Sequence, residues 1–169
     1  MRPEFRFCPR CATGLIEREA GGRVRQACPS AECGFVHWGN PTPVVGAIIE
    51  RDGHALLARG KNWPQKMFAL VTGFLEAAES PEVGVRREVK EELGLESTLV
   101  SLVGLYPFEQ QNQLLIVYHL IAAPGPVVLS DELAEYKEVP LDKLRAWPIG
   151  TGLAVQAFID ARLKRLSPT

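Results

Sequence analysis

The chain has 169 residues, enough for one ordinary domain and a small appendage but not for two full-sized domains. Apolar residues make up 46%, so a packed core is within reach and disorder is not expected. The net charge of −1 gives no global basic field to attract nucleic acid or anionic lipid, so neither nucleic acid nor a membrane is an expected partner.

The opening residues, MRPEFRFCPRC, contain no long apolar run and do not read as a secretory signal. The longest apolar stretches, near Pro43–Ile49 and Leu114–Ala123, are too short and interrupted to span a membrane. A cytoplasmic protein is the expectation. In a reducing compartment, the four cysteines read as metal ligands before they read as disulfides.

All four lie early in the chain, as Cys8-Pro-Arg-Cys11 and Cys28-Pro-Ser-Ala-Glu-Cys33, with 16 residues between the pairs. Two close pairs joined by a loop can wrap one tetrahedral Zn2+. A segment of about 35 residues buries little core by itself, so the metal would supply folding energy. Four thiolates close the coordination sphere, which makes the zinc structural. The alternatives are free thiols or a Cys-x-x-Cys redox pair, although no thioredoxin-like βαβ pattern surrounds it. This reading divides the chain into a zinc ribbon over residues 1–39 and a second domain over 40–169.

After Pro43 the texture changes. The run Val44–Ile49 predicts a strand, Arg51-Asp-Gly53 a hairpin turn, and His54–Arg59 the returning strand. Met67–Thr72 predicts another strand. Ser80 is a good N-cap, Pro81 suits the first helical position, and Gly94 stands where a left-handed cap is expected, so a helix is predicted from Pro81 to Leu93. Strands are then expected at Thr98–Leu105, Leu114–Ala123 and Val127–Leu129, with Ser130–Lys143 part loop and part strand. Leu153–Leu166 carries apolar residues at helical spacing. Strands on both sides of an internal helix, with a second helix at the end, imply an α+β fold with a mixed β-sheet packed by helices.

The predicted helix holds Glu88, Glu91 and Glu92 at i, i+3 and i+4, so three carboxylates share one face. Val85, Val89 and Leu93 form a separate stripe that can face a core. Three adjacent like charges repel, and the arrangement makes sense if a divalent cation neutralises them. The alternative is a solvated acidic face paired with Arg86, Arg87 and Lys90.

The surrounding stretch from Gly73 to Leu95 resembles the 23-residue Nudix pattern. Its fixed positions are filled by Gly73, Glu79, Arg87, Glu88, Val89, Glu91, Glu92, Gly94 and Leu95. The resemblance implies a Nudix α/β/α sandwich and Mg2+- or Mn2+-dependent hydrolysis of a diphosphate bond. It implies metal ligands at Glu88, Glu91 and Glu92 and at the Gly73 carbonyl. Glu79 and Arg87 would pair and orient the carboxylates. The general base differs among Nudix enzymes. Here a helix glutamate, Glu132 or Glu135 can take that role, and Glu132 is the better match to an extra metal-binding glutamate of zinc-ribbon members.

A four-cysteine ribbon before such a domain is similar to the NADH pyrophosphatase branch, a resemblance that suggests a homodimer. The Ser-Gln-Pro-Trp-Pro-Phe-Pro segment of that branch is absent. The corresponding region, Gly104–Leu114, keeps only Pro107 and Phe108. The resemblance therefore leaves NAD(H), ADP-ribose and FAD all open as substrates. Phe74 matches an aromatic that stacks on a base in that branch, and the Gly150–Ala154 stretch resembles one that closes the pocket. Trp38, Trp63, Tyr106 and Phe108 are further candidates for stacking on a base, with Gln111, Asn112 and Gln113 for its polar edge. Arg59 and Lys61 are candidates for phosphate contact. Two other readings remain: an enzyme that removes NAD caps from RNA, its ribbon made mildly basic by Arg2, Arg6, Arg10, Arg18, Arg23 and Arg25, and a non-catalytic Nudix-fold nucleotide sensor.

Overall fold

The computed structural model describes residues 5–166, so Arg2 lies outside the described residues. The chain separates into two compact units, one ending at Pro41 and including Gln110–Asn112, the other formed by Thr42–Glu109 and the chain from Gln113 onward.

The first unit carries an antiparallel hairpin of β1 (Ile16–Ala20) and β2 (Arg23–Ala27). Gly21 and Gly22 turn it at φ of 62° and 74°, the left-handed pair that a two-residue hairpin with the native twist demands. Isolated bridges from Phe7 to Gly14 and from Ala27 to Val36 flank it. Asn112 donates from its side-chain amide to the Asn40 carbonyl at 3.1 Å.

The second unit is built on β3 (Thr42–Arg51), β4 (His54–Gly60), β5 (Val71–Phe74), β6 (Ser97–Phe108), β7 (Gln113–Ala122) and β8 (Leu133–Pro140). The sheet order is β6-β7-β3-β4-β8, and β5 pairs with β3 alongside β4. Only β3 and β7 run parallel, so the sheet is mixed. The β3–β4 turn is Asp52-Gly53, both at positive φ, 49° and 74°.

Strand β3 is buried on both faces because helices cover both. Val45, Ala47 and Ile49 face a cluster that includes Val85, Val89 and Leu93 of α1 (Pro81–Leu93). Val44 and Ile48 face one that includes Ala154 and Val155 of α2 (Gly152–Leu166). This is the expected α/β/α sandwich. It also explains why β3 reads as a continuous apolar run: period-two alternation splits the residues between two cores. Each α1 residue of the stripe, at most 1% exposed, contributes about 1.5–3 kcal/mol of transfer free energy. No helix among the described residues is long and apolar enough to cross a membrane.

Two expected strands differ. The Met67–Thr72 strand begins only at Val71. Met67 N–H instead donates to the Pro64 carbonyl in a turn, and Ala69 makes a single bridge to Ala58. Val127–Leu129 is not a strand. Val128 and Ser130 donate their amides to the Leu93 and Glu92 carbonyls at 2.9 and 3.0 Å. The last carbonyls of a helix lack partners within the helix, and this passing segment satisfies two of them.

Candidate active site

Helix α1 starts where its cap allows. Ser80 is extended (φ −78°, ψ 150°) and its hydroxyl accepts from Val83 N–H, with Pro81 next. Gly94 ends it at φ 69°, its N–H returning to Lys90 O. A side chain there would also meet Val128, 3.0 Å from its Cβ. Gly94 therefore serves both the left-handed turn and the docking of the 128–130 segment.

Arg87 organises the acidic face. Its Nε and one terminal nitrogen grip Glu79 in a two-point pair, both at 2.9 Å. The other terminal nitrogen donates to Glu88 at 2.7 Å and Glu91 at 3.0 Å, and the fifth N–H reaches the Phe74 carbonyl at 3.0 Å. All five guanidinium donors are engaged, which only arginine's planar fork permits. These bonds raise the Arg87 pKa above its ordinary value and lower that of Glu79, whose carboxylate also accepts from Glu76 N–H. The pair ties the box loop to the helix. Gly84 lets the loop approach, because a Cβ there would stand 2.6 Å from Leu75 and 2.8 Å from Glu79.

Gly73 has a comparable reason. A Cβ on it would lie 1.8 Å from the Glu88 carboxyl carbon. The Glu88 carboxylate thus rests directly against the β5 backbone and is only 13% exposed.

Glu132 reaches the same region through backbone bonds. Ser130 N–H docks on the end of α1, Lys61 N–H donates to the Glu132 carbonyl at 2.9 Å, and Glu132 N–H donates to the Ser130 hydroxyl at 3.3 Å. Burial, then the charges of Glu88, Glu132 and Glu91, push the Glu92 carboxyl up to about 7. Among the described residues no cation is paired with Glu92. Arg87 compensates Glu88 and Glu91 but not the buried Glu92, and the hard oxygen donors of the set suit Mg2+ or Mn2+. The residues present therefore fit such an ion.

Glu92 and Glu132 line an acidic cavity of about 530 Å³ with Lys61, Asn62, Trp63 and Asp131. An apolar cavity of about 610 Å³ shares Trp63, Leu70 and Thr72 with it. Of the sequence candidates, Trp63, Phe108 and Gln113 line the apolar cavity, and so do Gly150 and Thr151 of the stretch expected to close a pocket. Phe74 is 58% exposed and lines neither cavity. Arg59 and Glu135 line neither and pair with each other at 2.7 Å. Tyr106 packs against the α2-side core, and Trp38 belongs to the first unit, under the Arg25 guanidinium. Phe68, Trp147 and Ile149 line the apolar cavity and were not anticipated. Trp147 was legible only as an aromatic beside Pro148 in the connection to the last helix, a weak signal.

In the first unit the four sulfurs of Cys8, Cys11, Cys28 and Cys33 lie within 4.8 Å of one another, with Cys8–Cys33 and Cys11–Cys28 contacts of 3.5 Å. A tetrahedron with Zn–S bonds of about 2.3 Å has sulfurs nearly 4 Å apart, so the cluster fits Zn2+. Burial pushes the Cys28 thiol up to about 12, so a cation is needed to hold it as thiolate.

The comparisons agree with this geometry. The NUDIX domain matches residues 40–156. The NAD-capped RNA hydrolase NudC of Pseudomonas aeruginosa is 31% identical over 163 residues, 96% of this chain and 57% of the relative. The enzyme of that name from Mycobacterium bovis is 40% identical over 105 residues, 61% of this chain and 34% of the relative. The chain thus spans little more than half the length of the first curated relative. The NUDIX hydrolase structure from Nitrosomonas europaea matches in fold, with a TM-score of 0.80 at 22% identity, covering 96% of this chain and 93% of that one. With the domain match covering most of the chain and every fixed position of the box filled, the protein belongs to the NUDIX family.

Proposed function

We propose that the protein hydrolyses the diphosphate bond of a nucleoside-diphosphate-linked compound, a dinucleotide such as NAD(H), ADP-ribose or FAD, releasing two monophosphates. The observation that carries this reading is the convergence of Glu88, Glu91, Glu92 and Glu132 beside a base-sized apolar cavity. Glu88, Glu91, Glu92 and Glu132, with the Gly73 carbonyl, would hold Mg2+ or Mn2+. Such an ion neutralises diphosphate charge and lowers the pKa of bound water.

The other roles belong to the chain. Arg87 and Glu79 keep the helix carboxylates in register. Glu132 or a helix glutamate accepts the proton of the attacking water. Trp63, Phe108 and Gln113 hold the base. The cysteines would bind one structural Zn2+. In this reading the protein is cytoplasmic, where reducing conditions keep its thiols available, and a homodimer by family resemblance.

A panel of NADH, NAD, ADP-ribose, FAD, CoA, diadenosine polyphosphates and nucleoside triphosphates, assayed with magnesium for released monophosphate, tests the proposal. One dinucleotide should exceed the rest, and Glu91→Gln should abolish turnover in a folded protein. An active Glu91→Gln enzyme would remove the metal assignment. The names of the curated relatives favour a second substrate, NAD-capped RNA. Salt-sensitive retention of RNA, with cleavage of the capped RNA above free dinucleotide, would select it.

A further inference from the structure

Three residues, Trp63, Leu70 and Thr72, form the wall between the two cavities. Trp63 lines both the acidic cavity and the apolar one. Its indole lies against Gly60, where an added Cβ would stand 3.3 Å from Nε1 and 3.4 Å from Cδ1 and Cε2. The Trp63 backbone N–H donates to the Gly60 carbonyl at 3.1 Å, closing a tight turn just after β4.

That turn is held from behind. Arg59 donates from a terminal nitrogen to the Trp63 carbonyl at 3.3 Å and from Nε to Glu135 at 2.7 Å. Arg59 and Glu135 are direct cross-strand partners of β4 and β8, and the register shifts between Arg59 and Gly60. Immediately beyond this irregularity, Gly60, Lys61, Asn62 and Trp63 line the acidic cavity. The Arg59 side chain is only 14% exposed and lines neither cavity. Among the lining residues of the acidic cavity, Lys61 is the one cation.

We infer that Arg59 is a positioning residue, which with Glu135 as its counter-ion fixes Trp63 in the partition between the diphosphate site and the base pocket. It is not a phosphate ligand, and Trp63 sets which bases fit. This inference rests on the proposed hydrolysis of a nucleotide-linked diphosphate. The guanidinium bridges a rigid strand pair to the carbonyl of a surface turn. Losing either charge of the pair frees the turn and lets the indole leave its seat on Gly60.

The test compares Arg59→Gln, Glu135→Gln and Trp63→Phe, singly and combined, on the best dinucleotide of the panel. Arg59→Gln and Glu135→Gln should each raise KM ~10-fold with a smaller change in kcat, as loss of binding common to ground and transition states requires. Combined with Trp63→Phe, neither should add a further rise, and Arg59→Lys should restore part of the loss. Acrylamide quenching of tryptophan emission in the substrate-free protein should increase in Arg59→Gln and Glu135→Gln, and that increase should vanish in the Trp63→Phe background. A phosphate-binding Arg59 predicts the opposite pattern: Glu135→Gln lowers KM by freeing the cation, and Arg59→Gln keeps its full cost without Trp63. Either result overturns the inference. Should the wild type cleave none of the panel, the hydrolysis reading fails, while the quenching comparison still decides whether the pair holds Trp63.

Discussion

Replacing Gly73 with alanine separates catalytic geometry from stability. The new methyl carbon would stand 1.8 Å from Cδ of Glu88 and 2.0 and 2.2 Å from its two oxygens, where ordinary contacts exceed 3.4 Å. Gly73 pairs with Val45 in the middle of β3–β5 and cannot retreat without breaking the ladder. The Glu88 carboxylate must therefore move by well over 1 Å, and its 2.7 Å bond from Arg87 goes with it. A carboxylate at the end of a flexible side chain can swing away, so the fold should lose only about 1–3 kcal/mol, the usual cost of overpacking. Activity is less forgiving, because a misplacement of about 1 Å at a reacting centre costs on the order of 10²-fold.

The assay is a double-mutant cycle in stability together with magnesium titrations of kcat. Gly73→Ala should be destabilising in the wild type and markedly less so in a Glu88→Ala background, which removes the three carboxyl atoms nearest the methyl. Its kcat should fall ~100-fold and the magnesium requirement should rise. An equal stability cost in both backgrounds would refute the reasoning, because the strain would then lie in β5 itself rather than in the carboxylate.

The protein should carry about one zinc per chain, and Cys11→Ser should lose it together with the ordered ribbon, read by metal analysis and by proteolysis within the first 41 residues. Gly152→Ala should be far more damaging than Gly73→Ala. Its methyl would lie 1.8 Å from the Trp147 carbonyl oxygen, a backbone atom that cannot swing aside, and a loss of about 3 kcal/mol or more should appear as a lower Tm. Burial lowers the pKa of His119 below 6.5, against the opposing pull of its 3.0 Å partner Glu50, and the charges of Arg162 and Arg165 lower it further. The unfolded chain then takes up a proton that the folded chain resists. This contribution to stability is intact above pH 6.5 and is lost as pH falls below it. Denaturant titrations at about pH 7.5 and about pH 5.5 should show a smaller pH dependence in His119→Gln.

Local chemistry made much of this protein readable in one dimension. The limits of α1 follow from Ser80, Pro81 and Gly94, because caps act on the backbone within a few residues. The Asp52-Gly53 hairpin follows from residues that tolerate positive φ. The acidic face follows from helical spacing, and the cysteine cluster from the short reach of thiolate ligands. The pairing of Arg59 with Glu135 is not legible in the sequence, because it depends on what lies across the sheet. Arg59 meets Glu135 from β8, 76 residues away, and no pattern around either residue announces the pair. Val127–Leu129 has the composition of a strand but caps α1, since the carbonyls of Glu92 and Leu93 needed donors and this segment passes within reach. The carboxylates of Glu92 and Glu132 come together for the same reason. Sequence spacing fixed one of them on a helix face, and only the docking of the 128–132 segment against the end of that helix brought the other to it.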